Sequence, residues 1–598
     1  MSCRFLKKRF LFFIPIAALL TGSGCGRNPG PEPAAKSAQP RSVVILPFTN
    51  LTGKAEWDWV SAAMPVAITQ CFEGVPGVRV SAAASLAEAH AERANRVLHG
   101  YLAPGRGGVT LHTSIEELGQ RQIGNTTTRT SSSEPELLGA AAAIAKDIDP
   151  RATEPGFKSI AALKRYVSTF AVPPEAAREQ LAALVKDEPS AGLAWVALAE
   201  RQRLAGDARA AVETAEQALA AGQLRPTQKL RLQMLRASLL RDPKANADAT
   251  AEFARLQTWD LQAQLGAASA ASEARLFPQA LEFYAKARQL APERGELWNL
   301  IGYAQAHSGD LTAAVESLKK YAEFDKSGAN PLDSLGEVNL LHGRFAEAEK
   351  YFRECYRKDP GFNNGVALLK AAWTRLLNRD NAGALTLAEE FAAARVKAND
   401  PLAPFYKAQW QQLAGAVKEA NAAMEALTRD QNRAVAAIAS AQLSQWALQA
   451  GDRQRAALLS VNARRLAPNA QVAGLAVASH FAALPSASAE EWEQRAEKGF
   501  AAPGLDALKR RALVVALLLD RHPDAAVPWL KQLEAETEPS AAGFTQAMLA
   551  QALVESGRAK DAAAYLRTWP LLANELPNLN YSLVMPQLLK TRAAAGLR

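Results

Sequence analysis

The spacing of apolar residues divides the chain into two kinds of segment. The run Val43–Leu46 is short, apolar and stopped by a proline, which is typical of a buried strand. The next apolar positions, Val60, Met64 and Ile68, are four residues apart and predict a helix with one face against a sheet. Pro65 lies inside that helix, so we expect it to kink the helix or delay its start.

The following residues continue this alternation of strands and helices. A second strand is predicted at Val78–Ala83, and a helix follows with Ser85 as its cap. Gly-rich breaks then separate three β-rich runs and favour hairpin turns. These runs are followed by a third helix; the four ranges are Val97–Leu102, Val109–Ile115, Gln122–Thr130 and Glu134–Ile148. The predicted order is β-α-β-α-β-β-β-α, a small α+β domain over residues 41–150.

The loop after the first strand, "PFTNLTG", stands where many enzymes place reactive groups. Asn50 and Thr52 are turn formers whose side chains satisfy loop backbone groups. No nucleophile with a nearby His and acid accompanies them. The later "PGRGG" lacks the Lys-Ser/Thr pair of a phosphate-binding loop and lies between strands. We therefore predict turn structure here, with a small-molecule site in this domain as the alternative.

Three stretches of this domain carry a family resemblance. They are "VVILPFTNLTG", the following "WDWV" with Met64 and Ile68, and "VLHGYL" before the hairpin. Together they resemble the TolB N-terminal-like domain, which bacteria often fuse to helical repeats. The resemblance covers residues 41–150, and Pro65 departs from the pattern.

From about residue 156 onward the pattern repeats every 34 residues. Residues of similar size and role recur at this interval. Trp298, Gly302, Gly309 and Ala314 are followed 34 residues later by Leu332, Gly336, Gly343 and Ala348. This spacing resembles the tetratricopeptide repeat (TPR). The resemblance implies an all-α superhelical solenoid over residues 151–598, with about nine to eleven helix pairs, several of them degenerate.

The repeat has a direct physical meaning. A pair of antiparallel helices cannot bury its apolar faces alone, so successive pairs stack. Small residues such as Gly302 and Gly336 let helices approach closely, while Leu318 and Phe352 fill the space between pairs. Stacking of this kind predicts a right-handed superhelix with a concave groove, lined by the first helix of each pair.

The resemblance also implies which residues line the groove. The exposed groove positions are expected at Glu200, Arg203, Asn299, Tyr303, Asp333 and Glu337. The alternative is that each belongs to an ordinary solvated helix face. The Lys and Asn that clamp a peptide carboxylate in some TPR proteins are absent, since Asn299 and Tyr303 stand in their place, so a peptide with an acidic end is not implied.

The N-terminus has the layout of an export signal. Basic residues precede an apolar stretch and small residues within positions 1–24. The "GSGC" ending at Cys25 resembles a bacterial lipobox, although Gly22 stands where an aliphatic residue is usual. Residues 25–40 are rich in Pro and Gly and predict a tether. We expect a lipoprotein facing the periplasm, with the outer membrane favoured because Gly26 follows the cysteine; a soluble periplasmic product is the alternative.

Charge and cysteine usage narrow the class of function. The net charge is +9 and falls to +5 without the four basic residues of the signal, which does not favour nucleic acid as a partner. Beyond the signal and Cys25 there remain only Cys71 and Cys355, and the seven histidines are scattered, so no disulfide framework, metal site or cofactor is expected.

The sequence predicts a non-catalytic scaffold that binds protein partners in the cell envelope. A regulatory subunit whose α+β head binds a small molecule is the alternative.

Overall fold

A computed structural model describes residues 41–597, except 76, 92–93, 106–107, 119–121, 132, 222, 327, 503, 538–541 and 574–575. The predicted signal, Cys25 and the tether lie outside the described residues. None of the described helices is both long and apolar enough to cross a membrane.

The N-terminal head is built on one mixed sheet, and the predicted order of strands and helices is confirmed, with one short strand added. Strand β1 lies between β3 and β4 and runs parallel to both, while β4, β5 and β6 form an antiparallel meander in the order β3-β1-β4-β5-β6. The short β2 pairs with β4. The elements are β1 (Arg41–Ile45), β2 (Thr49–Asn50), α1 (Val60–Gln70), β3 (Val78–Ala82), α2 (Leu86–Ala91), β4 (Arg96–Gly105), β5 (Gly108–Glu117), β6 (Gln122–Ser131) and α3 (Glu136–Ile148).

Pro65 does not delay α1, which begins at Val60. Proline lacks the N–H that would bond to the carbonyl four residues earlier, so the oxygen of Ser61 loses its helical donor. The N–H of Phe48 in the preceding loop donates to that oxygen at 3.1 Å. The ring of Phe48 is buried against Gly100 of β4, where a Cβ atom would lie 2.4 Å from the ring. The loop is therefore part of the packing of the sheet and α1.

The polar residues of the same loop hold its turn together. The side-chain amide of Asn50 donates to the carbonyl of Lys54 at 2.9 Å and to Asp58 at 2.7 Å. Its oxygen accepts the N–H of Thr52 at 3.0 Å. The prediction of turn structure at Asn50 and Thr52 is confirmed.

The rest of the chain is helical, and α6 to α27 form eleven successive helix pairs in the described part of the chain. The pairs follow two preceding helices, α4 and α5, and are followed by two short ones, α28 and α29. The bounds are α4 (Ile160–Ser168), α5 (Pro174–Asp187), α6 (Gly192–Leu204), α7 (Ala208–Ala221), α8 (Pro226–Leu239), α9 (Pro243–Leu256), α10 (Leu261–Glu273), α11 (Phe277–Leu290), α12 (Glu296–His307), α13 (Leu311–Phe324), α14 (Asn330–Leu341), α15 (Phe345–Lys358), α16 (Ala367–Leu377), α17 (Asn381–Lys397), α18 (Ala403–Leu413), α19 (Val417–Leu427), α20 (Arg433–Gln449), α21 (Arg453–Leu466), α22 (Ala470–Ala482), α23 (Ala489–Gly499), α24 (Asp506–Leu519), α25 (Pro523–Ala535), α26 (Gly543–Glu555), α27 (Ala559–Ala562), α28 (Tyr581–Val584) and α29 (Leu588–Ala594).

The two helices of a pair differ in how much they bury. Fourteen of the 17 residues of α20 are buried, whereas its partner α21 buries three of 14. Helices α14 and α16 are likewise buried on most sides. We call the first helix of each pair the inner helix and the second the outer helix.

Small residues allow the close helix contacts that the repeat predicted. A Cβ atom on Gly302 would lie 2.8 Å from Leu318, and one on Gly336 would lie 2.5 Å from the ring of Phe352. Both Leu318 and Phe352 are fully buried. The turn between α12 and α13 has the expected chemistry, because Gly309 adopts a φ of +95° and Asp310 accepts the N–H of Ala313 at 3.0 Å.

The solenoid closes on itself. Arg241 lies in the turn between α8 and α9 and forms an ion pair of 2.5 Å with Glu536, just beyond α25. Arg275, in the next such turn, forms an ion pair with Glu534 of α25. Helix pairs that are seven and eight pairs apart along the chain are therefore in contact. The inner helices face a common interior.

The head and the first helix pairs share one hydrophobic core, which runs from Val43 to Leu235. Arg225, before α8, donates to the carbonyl of Gln70 at 2.5 Å and also to that of Glu154. The head is thus packed against the start of the solenoid, and whether the two fold separately across the predicted boundary near residue 150 stays a prediction.

Candidate protein-interaction groove

The six residues predicted for the groove fall into two places. Glu200 and Arg203 lie on α6 and form an ion pair with each other at 2.7 Å, near the surface. Asn299 and Tyr303 lie on α12, and Asp333 and Glu337 lie on the neighbouring inner helix α14. The structure brings Tyr303, Asp333 and Glu337 together and leaves the α6 pair apart from them.

Asp333 and Glu337 are not exposed, which corrects the prediction for these two residues. Only 6% of Asp333 and 8% of Glu337 is accessible. The reason is Lys370 of the next inner helix, α16, whose ammonium group donates to Asp333 at 2.7 Å and to Glu337 at 2.6 Å. The hydroxyl of Tyr303 donates to the other oxygen of Glu337. Whether these residues contact a partner stays a prediction.

Sequence reasoning missed Lys370, although a signal was present. Tyr303 and Glu337 are 34 residues apart, and Lys370 follows Glu337 by 33. These steps equal the repeat within one residue, so the three side chains occupy almost equivalent positions on successive inner helices. Opposite charges one repeat apart on inner helices are thus a usable indicator of a buried ion pair.

Burial and charge shift the pKa values of this cluster. Burial raises the pKa of Asp333 to about 6; the positive charge of Lys370 opposes the shift and Glu337 adds to it. Burial, together with the carboxylates of Glu337 and Asp333, raises the pKa of Tyr303 well above its ordinary value. Burial disfavours the charged form of Lys370, but the two carboxylates outweigh it and keep its pKa above the ordinary value.

The same inner helices hold the chain's own C-terminal segment, residues 566–584. After α27 the chain leaves the helix pairs and crosses the inner faces of α14, α16, α18 and α20, which we call the inner groove. The N–H of Trp569 donates to the carbonyl of Leu341 in α14 at 2.8 Å. The indole N–H of Trp373 in α16 donates to the carbonyl of Pro570 at 3.3 Å.

Side-chain amides continue this contact along α18 and α20. Gln409 donates to the carbonyl of Asn578 at 2.7 Å, and Gln442 donates to that of Leu579 at 3.0 Å. Further donors on α20 bind at the end of the segment: Gln445 to Asn580 Oδ1 at 2.9 Å, Trp446 to Ser582 Oγ at 3.1 Å and Gln449 to Ser582 O at 3.1 Å. Most of these hydrogen bonds are made to main-chain carbonyls of the segment rather than to its side chains.

Helix α26 confines the segment from the other side. A Cβ atom on Gly543 would lie 2.9 Å from the backbone nitrogen of Leu571, so only glycine leaves room for the chain there. The rings of Phe544 and Tyr581 are 6.2 Å apart. A cavity of about 320 Å³ lies beside residues 577–580, and half-buried apolar side chains such as Leu475 and Val515 line it.

The sequence predicted that the repeat solenoid extends to residue 598, so that residues 566–584 would belong to helix pairs. In the structure these residues do not form a helix pair. Pro570, Pro577 and Pro586 interrupt any helical pair there, because proline removes a helical hydrogen bond. Only one charged residue, Glu575, stands between Trp569 and Leu589. Prolines together with an almost uncharged apolar composition were the available signal that this stretch is buried but not helical.

Comparisons with known proteins give partial matches. No protein-family model matches the chain. Over 111 residues, 18% of the chain, it is 27% identical to the general transcriptional corepressor ssn6 of Schizosaccharomyces pombe, covering 10% of that protein. Over 69 residues, 12% of the chain, it is 33% identical to the cellulose synthase 1 operon protein C of Komagataeibacter xylinus, covering 5% of that protein. The chain therefore spans a tenth or less of the length of these curated relatives.

Among solved structures, the chain is similar to YrrB, described as a TPR protein with an unusual peptide-binding site. The identity is 14% and the TM-score 0.22, over 40% of this chain and 99% of that one. The 34-residue step, the helix pairs and the small residues at helix contacts give this chain the fold class that the sequence predicts, a small α+β head followed by an all-α solenoid of TPR-like helix pairs.

Proposed function

We propose that this protein is a non-catalytic scaffold of the cell envelope that binds extended segments of partner proteins in its inner groove. One observation carries the proposal: four successive inner helices bond to the main chain of residues 569–570 and 578–582, through donors on α16, α18 and α20 and through an acceptor, the carbonyl of Leu341, on α14. Recognition of main-chain carbonyls by amide and indole donors does not depend on one particular sequence. A surface built in this way suits the binding of an extended polypeptide.

The groove supports binding of polypeptide better than of a small molecule. Its hydrogen-bonding groups, an acceptor on α14 and donors on α16, α18 and α20, are distributed along the groove rather than converging on one point. Among the described residues, the head loop around Asn50 is occupied by its own hydrogen bonds, as given above. The head therefore supplies no observation in favour of the small-molecule alternative.

Changes in the groove donors should lower partner capture. Gln442→Ala with Gln445→Ala removes two amides that hold a bound main chain, and we expect at least a fivefold loss of partner proteins retained from envelope extracts, measured by quantitative mass spectrometry. Leu458→Ala, on the outer helix α21 where the side chain is 70% exposed, is the matched control and should retain full capture. Equal capture by both variants would place binding outside the groove.

The anchor is a separate part of the proposal. Cys25 follows an export signal and small residues, so we propose that it carries a lipid that fixes the protein to the membrane facing the periplasm, with the outer membrane favoured. Cys25→Ala should move at least nine-tenths of the protein from the membrane to the soluble fraction and abolish labelling with a fatty-acid analogue. Unchanged labelling of the variant would refute lipidation at Cys25.

A further inference from the structure

The C-terminal segment, residues 566–584, occupies the inner groove, and we call it the resident segment. Its residues indicate which kinds of side chain the groove can bind. Its first part offers an aromatic residue followed by proline, Trp569–Pro570, at α14 and α16. Its last part offers two asparagines and a serine, Asn578, Asn580 and Ser582, at α18 and α20. Together the two ends contact all four inner helices, so the site recognises two stretches of polypeptide, residues 569–570 and 578–582.

The contacts favour an uncharged ligand. The donors that reach the segment from the inner helices, including Trp373, Gln409 and Gln442, are neutral, and all three side chains are buried. A charged ligand residue beside them would be buried without a counter-charge, which is strongly unfavourable. The resident segment fits this requirement, since Glu575 is its only charged residue between Trp569 and Val584.

The resident segment does not fill its site. The cavity of about 320 Å³ beside residues 577–580 is lined by apolar side chains of α22, α24 and α26 and by Arg511. A ligand that placed apolar atoms there would gain burial of apolar surface that the resident segment does not provide. Such a ligand would compete with the resident segment for the site.

We propose that the inner groove binds, in place of residues 569–582, an extended uncharged segment of a partner protein, with an aromatic residue and a proline at the α14 end and amide or hydroxyl side chains at the α20 end. This proposal rests on the proposed function and adds that the chain's own segment competes with the partner. Competition lowers the apparent affinity by the fraction of molecules whose groove is open.

A glycine provides a way to block the groove against any main chain without changing the groove donors. Gly543 begins α26 and adopts no left-handed conformation, so a side chain there is compatible with the helix. Gly543→Val, however, collides with the backbone of Leu571. The matched control is Gly266→Val in α10, where a Cβ atom meets nothing within 4 Å.

The test is a fluorescence anisotropy titration of the full-length protein with a labelled synthetic peptide of residues 566–584. Trp569→Ala weakens the resident segment and leaves the groove unchanged, so we expect the peptide to bind this variant at least tenfold more tightly than the wild type. Adding Gln409→Ala and Gln442→Ala, or Gly543→Val, to Trp569→Ala should abolish this binding, whereas adding Gly266→Val should not. A scrambled peptide should not bind.

Equal peptide affinity in the wild type and Trp569→Ala would overturn the exchange proposal. The same holds if binding to Trp569→Ala survives the loss of Gln409 and Gln442. These failures are distinguishable from failure of the proposed function: if the groove variants lose partner capture while the peptide never exchanges, the scaffold function stands and only the competing role of residues 569–582 is lost.

Discussion

Replacing Lys370 by Met is expected to destabilise the solenoid by about 3–5 kcal/mol at neutral pH. The change leaves Asp333 and Glu337 buried without the ammonium group that lies within 2.7 Å of both. Because a carboxylate that loses its counter-charge binds protons more readily, the pKa of Asp333 should rise further. Chemical denaturation followed by circular dichroism measures the loss.

The pH dependence of this variant has a definite sign. In the wild type the pKa of Asp333 is raised to about 6, so the folded state favours its protonated form, and this contribution to stability is lost as pH rises through about 6. In Lys370→Met this effect of Asp333 is larger because its counter-charge is gone, and the variant should be least stable at pH 8 and recover partly at pH 5. The opposite trend would contradict the buried cluster.

Two comparison variants separate the cluster from a general effect of lysine removal. Lys319→Met removes an exposed partner of Glu316 and should leave the denaturation midpoint unchanged. Combining Lys370→Met with Asp333→Asn and Glu337→Gln removes the uncompensated charges and should restore much of the loss.

Gly336→Leu is the second change for which we expect a large effect, a loss of about 1–3 kcal/mol. A Cβ atom alone would lie 2.5 Å from the ring of Phe352, which is fully buried and has no room to move. Helices α14 and α15 must therefore separate. Since α14 also carries part of the inner groove, peptide and partner binding should weaken together with the melting temperature.

Gly266→Leu is the matched control because both glycines lie within inner helices. The space around a Cβ at position 266 is open, and leucine is a better helix former than glycine, so this variant should be as stable as the wild type or slightly more stable. Equal melting temperatures for the two variants would mean that the close contact at Gly336 does not limit packing.

The parts of the fold that follow from local pattern could be predicted. The spacing of apolar residues predicted α1 and the strands of the head, because a helix and a strand each bury one face and repeat their apolar residues at different intervals. The repeat step predicted that small residues such as Gly302 and Gly336 let helices approach closely, since equivalent residues occupy equivalent contacts in every pair. Of the two effects expected of Pro65, a delayed start of α1 does not occur; the donor that satisfies the freed carbonyl, the N–H of Phe48, belongs to another element.

The candidate site was harder to predict, because its contacts connect distant parts of the chain. Trp373 and Pro570 are 197 residues apart, and Gln409 and Asn578 are 169 apart. The local pattern of residues 566–584 shows only that they are apolar, uncharged and unsuited to helix. Their position in the groove depends on the closure of the whole solenoid, which the ion pairs of Arg241 and Arg275 accompany.

Site-specific photo-crosslinking in the cell envelope tests the central claim, binding in the inner groove, most directly. A photo-reactive phenylalanine analogue is placed at Gln449, beside Ser582 at the end of the groove, or at Leu458 on the outer face, and the linked peptides are identified by mass spectrometry. We predict that position 449 links to residues near 582 and to uncharged segments of partner proteins, and that position 458 links to neither. Partner segments linked from position 458 and never from position 449 would contradict the account.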